Sequence, residues 1–205
     1  MGSASTSRPF PGFDHLYQLS PGGSRQEFIT HIDLPTGMEP WDILHGCVVP
    51  PEPLVARWAL GGKKPRDVIL STAVHFTIFS ERVVQTLKER GFTGWSTYPI
   101  DVYGKDGVYV ARYHGLAVHG RCGPLDKTRT TRVVLEYPGG RFPESKGIYF
   151  DPASWDGSDF FMTEDKGFVF VTEEVMRAFK KMKYLHIEFT RLTEYTWGDL
   201  LPETP

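Results

Sequence analysis

The sequence predicts an α+β fold: a mixed or mostly antiparallel sheet with two main helices, built around two similar strand–helix–strand units. Three observations carry that expectation. The stretch 67–100 is echoed without a gap by 159–192, at the 92-position offset that separates Asp67 from Asp159. Val68-Ile69 falls on Phe160-Phe161, Phe76 on Phe168, Ile78 on Phe170, Ser80-Glu81 on Thr172-Glu173, Val83 on Val175, Leu87 on Phe179 and Lys88 on Lys180. In both stretches the apolar spacing changes from a period of two (Phe76-Thr77-Ile78, Phe168-Val169-Phe170) to helical spacing (Val83, Val84, Leu87; Val175, Ala178, Phe179, Met182). Finally, 21 glycines and 16 prolines supply many turns, which favours strands over long helices.

Each copy follows one order of signals. An apolar pair follows the aspartate, then come a polar turn, an extended run and a hydroxyl residue that opens a helix. Ser80 and Thr172 are expected N-caps, their side-chain oxygens accepting from the free amides of the first turn. Glu81 and Glu173 place negative charge at the positive end of the helix dipole; Lys88, Arg90, Lys180 and Lys181 lie near the other end. Gly91 ends the first helix, and Lys183 ends the second less clearly. Extended runs Trp95–Val102 and Tyr184–Leu192 follow. Strand–cap–helix segments look alike wherever they occur, so the echo is open to a general reading as well as to duplication. The match of the two aspartates, far upstream of the cap, favours duplication.

The remaining elements follow in order. Residues 1–12 and 197–205 are polar and expected to be loose. Phe13–Leu19 and Glu27–Leu34 are expected to pair as strands about the turn at Pro21-Gly22-Gly23. Met38–Cys47 fits a short helical turn or a strand, and Pro50, Pro51 and Pro53 break the chain. Leu54–Leu60 is expected as a short helix closed by Gly61-Gly62. Asp101–Tyr113 has the pattern of a hairpin turning at Gly104-Lys105-Asp106-Gly107, and Leu116–Arg121 extends it or pairs with it. Thr130–Tyr137 is a further strand, closed by Pro138-Gly139-Gly140. A loop from Arg141 to Ser158 leads into the second unit.

A chain of 205 residues with no linker fits one domain, residues 1–205. The net charge of −2 gives no global pull toward nucleic acid or membrane. No apolar run approaches the roughly 20 residues that span a bilayer, and the N-terminus lacks an apolar signal region. Gly2 and Thr6 formally fit a myristoylation pattern, as small-residue starts readily do. Two cysteines, Cys47 and Cys122, make no disulfide framework, so a reducing cytoplasm is the expected location.

Motifs for chemistry are few. Gly61-Gly62-Lys63-Lys64 is not a P-loop, because no strand with the required glycine approach precedes it and no Ser or Thr follows the lysine. His114, His119, Cys122 and Asp126 are ligand-type residues whose spacing matches no zinc knuckle. A Cys122 nucleophile with His114 or His119 as base is possible in kind, but no third residue can be named to orient it. No metal, cofactor or catalytic residue is therefore expected.

Charge is more informative. Between Lys105 and Lys146 eight basic residues face four acidic ones; between Gly147 and Glu174 seven acidic residues face a single lysine, Lys166. The segregation fits two solvated faces, or an acidic surface that meets a basic partner with complementary charge. Trp155 suits either an interface anchor or a plug beneath the acidic loop.

The run from Tyr113 to Asp126 (YHGLAVHGRCGPLD), the Ser80-Glu81-Arg82-Val83 helix opening and the Trp155–Phe161 run (WDGSDFF) also carry a resemblance. They resemble the immunity proteins of bacterial polymorphic toxin systems, a family abundant in myxobacteria and first catalogued as a domain of unknown function. The resemblance covers about residues 67–192, and residues 1–66 match nothing in it. It implies a cytoplasmic antitoxin-like protein that binds a cognate protein toxin and performs no chemistry. The resemblance supplies no contact residues; the acidic segment makes Trp155, Asp156, Glu164 and Asp165 the expected toxin contacts. The alternative is a nucleic-acid or nucleotide-binding module using Arg121, Lys127, Arg129 and Arg132, where phosphate contacts would make binding strongly salt-dependent. With so small a net charge, nucleic acid is the less expected partner.

Overall fold

A computed structural model describes residues 8–21, 27–72, 76–164, 166–183 and 187–198. In chain order these contain β1 (Leu16–Pro21), β2 (Phe28–Asp33), α1 (Pro40–Leu44), β3 (Leu54–Gly61), β4 (Val68–Ser71), β5 (Thr77–Phe79) and α2 (Glu81–Glu89). They continue with β6 (Trp95–Tyr103), β7 (Tyr109–Val118), β8 (Gly120–Arg121), β9 (Thr131–Tyr137), β10 (Gly140–Lys146) and β11 (Phe160–Met162). The last are β12 (Val169–Thr172), α3 (Glu173–Met182), β13 (Ile187–Arg191) and β14 (Thr196–Trp197). The fold is α+β with mixed, mostly antiparallel sheets: only β2–β4, β3–β6 and β8–β11 pair in parallel among the described residues. No helix among them is long and apolar enough to cross a membrane.

Six strands close a barrel in the order β2-β3-β6-β7-β5-β4, and a second sheet runs β13-β1-β12-β11-β8. A ribbon of β9 and β10 stands apart, joined to the short β14. Ile32, Ala56, Ile69, Ile78, Ile100 and Val102 fill the barrel. The centre of the second sheet is buried on both faces, which is why β12 (Val169–Thr172) is apolar apart from its last residue and buried throughout. One face, with Tyr17, Val171 and Phe160, packs on α2 and α3, and Phe179 of α3 meets Phe79 of β5 at 5.9 Å between ring centroids. The other, with Leu16, Phe161 and Phe170, packs on Phe150, Trp155 and Trp197.

Besides the loop expected from Arg141, whose first residues belong to β10 and pair with β9, four expectations are corrected. β1 and β2 do not pair with each other. β1 lies between β12 and β13, while β2 lies between β3 and β4; alternation fixes which side chains face inward but not which strand comes alongside. Leu54–Leu60 is not a helix but most of β3, held between β2 and β6, with Leu54 and Ala56 buried at a period of two. Residues 8–12 are not loose: Arg8 bridges Asp159 at 2.6 Å and Glu174 at 3.1 Å, and Phe10 packs edge-on against Phe150 and Trp155. Trp197 is likewise buried, its indole N–H donating to Gly147 O at 3.2 Å.

The fourth concerns the caps. Ser80 and Thr172 occupy the N-cap positions, but neither hydroxyl accepts from its helix. Each donates to a carboxylate instead, Ser80 Oγ to Asp67 and Thr172 Oγ1 to Asp159, both at 3.0 Å. A charged acceptor is the stronger partner for the hydroxyl. The α3 helix ends at Lys183, whose φ of 54° is left-handed, and α2 is followed by Gly91 at 66°. The expected strand from Tyr184 is described from Ile187, as β13; residues 184–186 lie outside the described residues.

Candidate functional site

At the β8 edge of the second sheet, two loops of opposite charge are fastened together. β8 runs parallel to β11, with Gly120 opposite Phe161 and Arg121 opposite Met162. That approach leaves no room for a side chain at Gly120, where a Cβ would lie 2.2 Å from Phe160 O. Beyond the strand, Cys122 N–H donates to Met162 O at 3.1 Å and Gly123 N–H to Ser154 Oγ at 2.7 Å. Asp156 clasps Arg121 twice: its carboxylate accepts from Arg121 N–H at 2.8 Å, and its own N–H donates to Arg121 O at 3.1 Å. Asp151 and Asp126 each cap a short 3-10 turn, accepting from Ala153 N–H and Thr128 N–H at 3.0 Å. Asp126 N–H in turn donates to Tyr149 O at 2.7 Å.

Two cavities open between these loops and share Gly123, Pro124 and Ser154. One, of about 440 Å³, is rimmed by Arg121 and Glu164. The other, of about 610 Å³, is rimmed by Asp126, Arg129 and Asp151 over Leu125 and Phe150. A partly apolar floor with a rim of both charge signs matches the anatomy of a protein-binding surface.

The expected contact residues divide by role. Glu164 is exposed on the rim of the smaller cavity. Asp156 is exposed, but its carboxylate already accepts from Arg121 N–H and from Ser158 N–H at 2.9 Å. Trp155 is only 6% exposed; its ring packs on Phe10 and Phe161, and its indole N–H donates to Ser158 O at 3.2 Å. It lies beneath the acidic loop. Asp165 lies outside the described residues.

Of the basic set, Arg121 turns its guanidinium onto the carbonyls of Val118, Gly120 and His45 at 2.7–2.9 Å. Arg129 stacks on Phe13 and Tyr149 at 4.8 and 4.5 Å, and Lys127 Nζ stands 6.0 Å from the Trp197 ring. Arg132 lies on β9, opposite Ser145. Arg121 and Glu164 therefore line the smaller cavity and Arg129 the larger, while Arg132 belongs to the ribbon.

The histidines of the central run have separate partners. His114 Nε2–H donates to Glu81 at 2.6 Å, and His119 Nε2 lies 2.5 Å from Ser96 Oγ. Burial, and then the neighbouring Arg121, lower the His119 pKa. Cys122 is buried. Sequence reasoning did not single out Ser154, which ties the two loops. The signal was present in Asp151-Pro152-Ala153-Ser154, an order of residues suited to a side-chain-capped turn. The chain matches no protein-family model and no curated protein.

Proposed function

We propose that this chain is a cytoplasmic immunity protein, a single domain that binds a cognate bacterial toxin one-to-one and neutralises it with no chemistry of its own. One observation carries the reading. The two longest runs that bear the family resemblance, Tyr113–Asp126 and Trp155–Phe161, are fastened to one another through Arg121 and Asp156 beside the cavities. Backbone contacts hold that surface, so its exposed charges are presented on a rigid frame, which lowers the ordering cost of binding. Glu164 and the outer face of Asp156 would meet basic groups of the toxin. Trp155 supports the loop from below.

The reading also takes the fold to be built from two similar strand–helix–strand units. What supports this is the pairing register. Val68 pairs with Phe79 and Ile69 with Ile78; at the same 92-position offset Phe160 pairs with Val171 and Phe161 with Phe170. The correspondence continues past the helices. Gly115 faces both Ile78 and Tyr98, while Gln18 faces both Phe170 and Thr190.

The test is to express this protein with the product of the gene beside its own in the native host. Relief of growth arrest, with an equimolar complex isolated by size and mass, is the expected result. Arrest that continues with the two chains unassociated would overturn the reading. A salt-sensitive complex with nucleic acid would favour the alternative module, although the Arg121 guanidinium is already committed to carbonyls.

A further inference from the structure

The ribbon of β9 and β10 is the part of the molecule least supported by its own chain. The two strands pair over seven positions, from Thr131↔Lys146 to Tyr137↔Gly140. β10 gains a further neighbour, β14, only at Ser145 and Lys146. Among the described residues β9 pairs with β10 alone, so its outer edge is open. The ribbon nevertheless exposes large apolar side chains on both faces: Val134 at 56% on one, Phe142 at 48% and Tyr137 at 45% on the other. A two-stranded ribbon is marginal in water by itself, and an open apolar edge invites another strand.

We infer that β9 pairs with β9 of a second copy of this chain, antiparallel about a two-fold axis through Val134, joining two ribbons into a four-stranded sheet. The order of residues in β9 selects this occupant. Charged residues on an edge ordinarily repel an added strand. Here Arg132 and Glu136 stand equally far from Val134 on the same face, so the two-fold register sets Arg132 of each copy opposite Glu136 of the other. Directly opposed unlike charges favour a strand pair, and like charges disfavour it. On the second face Val133 meets Leu135 and Thr131 meets Tyr137, all residues suited to strands.

The rows also continue across the joined sheet. Pro143 and Val134 of one copy align with Val134 and Pro143 of the other, and Phe142 and Leu135 align with Val133 and Glu144. A one-residue slip would break the charge pairing and shift apolar side chains to the wrong face. This inference does not depend on the toxin reading, and its test uses no toxin.

The test is sedimentation equilibrium of the full chain and of two variants, Arg132→Glu and Glu136→Arg, whose folding is checked by thermal melting. The wild type is expected as a concentration-dependent dimer. Each variant sets like charges face to face and should weaken self-association about tenfold or more. An equimolar mixture of the two restores both unlike pairs, so it should form a heterodimer although neither variant dimerises well alone. A wild type that stays monomeric at roughly 100 µM, a dimer indifferent to both substitutions, or a mixture that fails to associate would overturn the proposal.

Discussion

The segments 67–103 and 159–191 place the same grammar in different surroundings. In the first, the Asp67 carboxylate is at the rim of the barrel, held by Ser80 and by Arg82, the second residue of α2. In the second, Asp159 is 7% exposed and accepts from four groups: Arg8 at 2.6 Å, Thr172 at 3.0 Å, and the Thr93 amide and hydroxyl at 3.1 and 3.3 Å. Arg8 comes from the N-terminal segment and Thr93 from the connection between α2 and β6. The same residue that closes a local turn in one segment therefore ties three distant stretches together in the other.

The strand beside each hairpin differs as well. In the barrel, Gly115 leaves space for the Tyr98 ring, and a Cβ there would lie 2.2 Å from that ring. In the second sheet the central position is Gln18, whose side-chain amide donates to Leu19 O at 2.8 Å. One pairing thus fills its core with a ring over a glycine, the other with a buried amide. The Tyr98 hydroxyl is buried and has no hydrogen-bond partner among the described residues; burial raises its pKa.

The largest test of this contrast is to remove the two aspartates separately. Asp159→Ala strands several donors and should cost about 3 kcal/mol in urea unfolding, against about 1 kcal/mol for Asp67→Ala, whose partners reach water. Equal losses would mean that the central position of Asp159 carries no extra weight. Tyr98→Phe should raise stability by about 1 kcal/mol, because it deletes an unpaired buried hydroxyl without changing the ring. A loss of stability there would mean that the hydroxyl has a partner.

The smallest effect is in pH. Hydrogen bonds from Gln85 first, then His114, lower the Glu81 pKa; His15 first, then other neighbours including Arg177, lowers that of Glu173. A depressed carboxylate stabilises the fold above its ordinary titration range, and this contribution is lost as pH falls through the folded value. Glu81→Gln and Glu173→Gln should each lower the melting temperature slightly at neutral pH and leave it nearly unchanged at pH values well below about 4.5, so that the acid side of the profile flattens. A change confined to alkaline pH would contradict the assigned pairs.

Much of this was legible in the sequence. Periodicity located α2, α3 and the β6–β7 hairpin, because side-chain burial repeats along the chain. It could not tell that β1 joins β12 and β13, because neighbours in a sheet depend on long-range closure. Leu54–Leu60 was misplaced because Leu, Ala and Arg favour helices locally, while the barrel gives those residues strand partners. The site was half legible. Charge segregation pointed to the two loops; Arg121 and Glu164 line one of the cavities between them and Arg129 lines the other. Their number gave no sign that Asp156 is engaged with backbone amides, or that Trp155 faces inward beneath Phe10.

The most direct measurement is the association rate of Glu164→Lys with the toxin obtained in the co-expression experiment, compared with wild type at low salt. Glu164 is exposed and rims the smaller cavity, so the substitution should leave melting unchanged. The account predicts association slowed several-fold, with the difference shrinking as salt is added and dissociation little altered. Equal association rates at every salt concentration would contradict it.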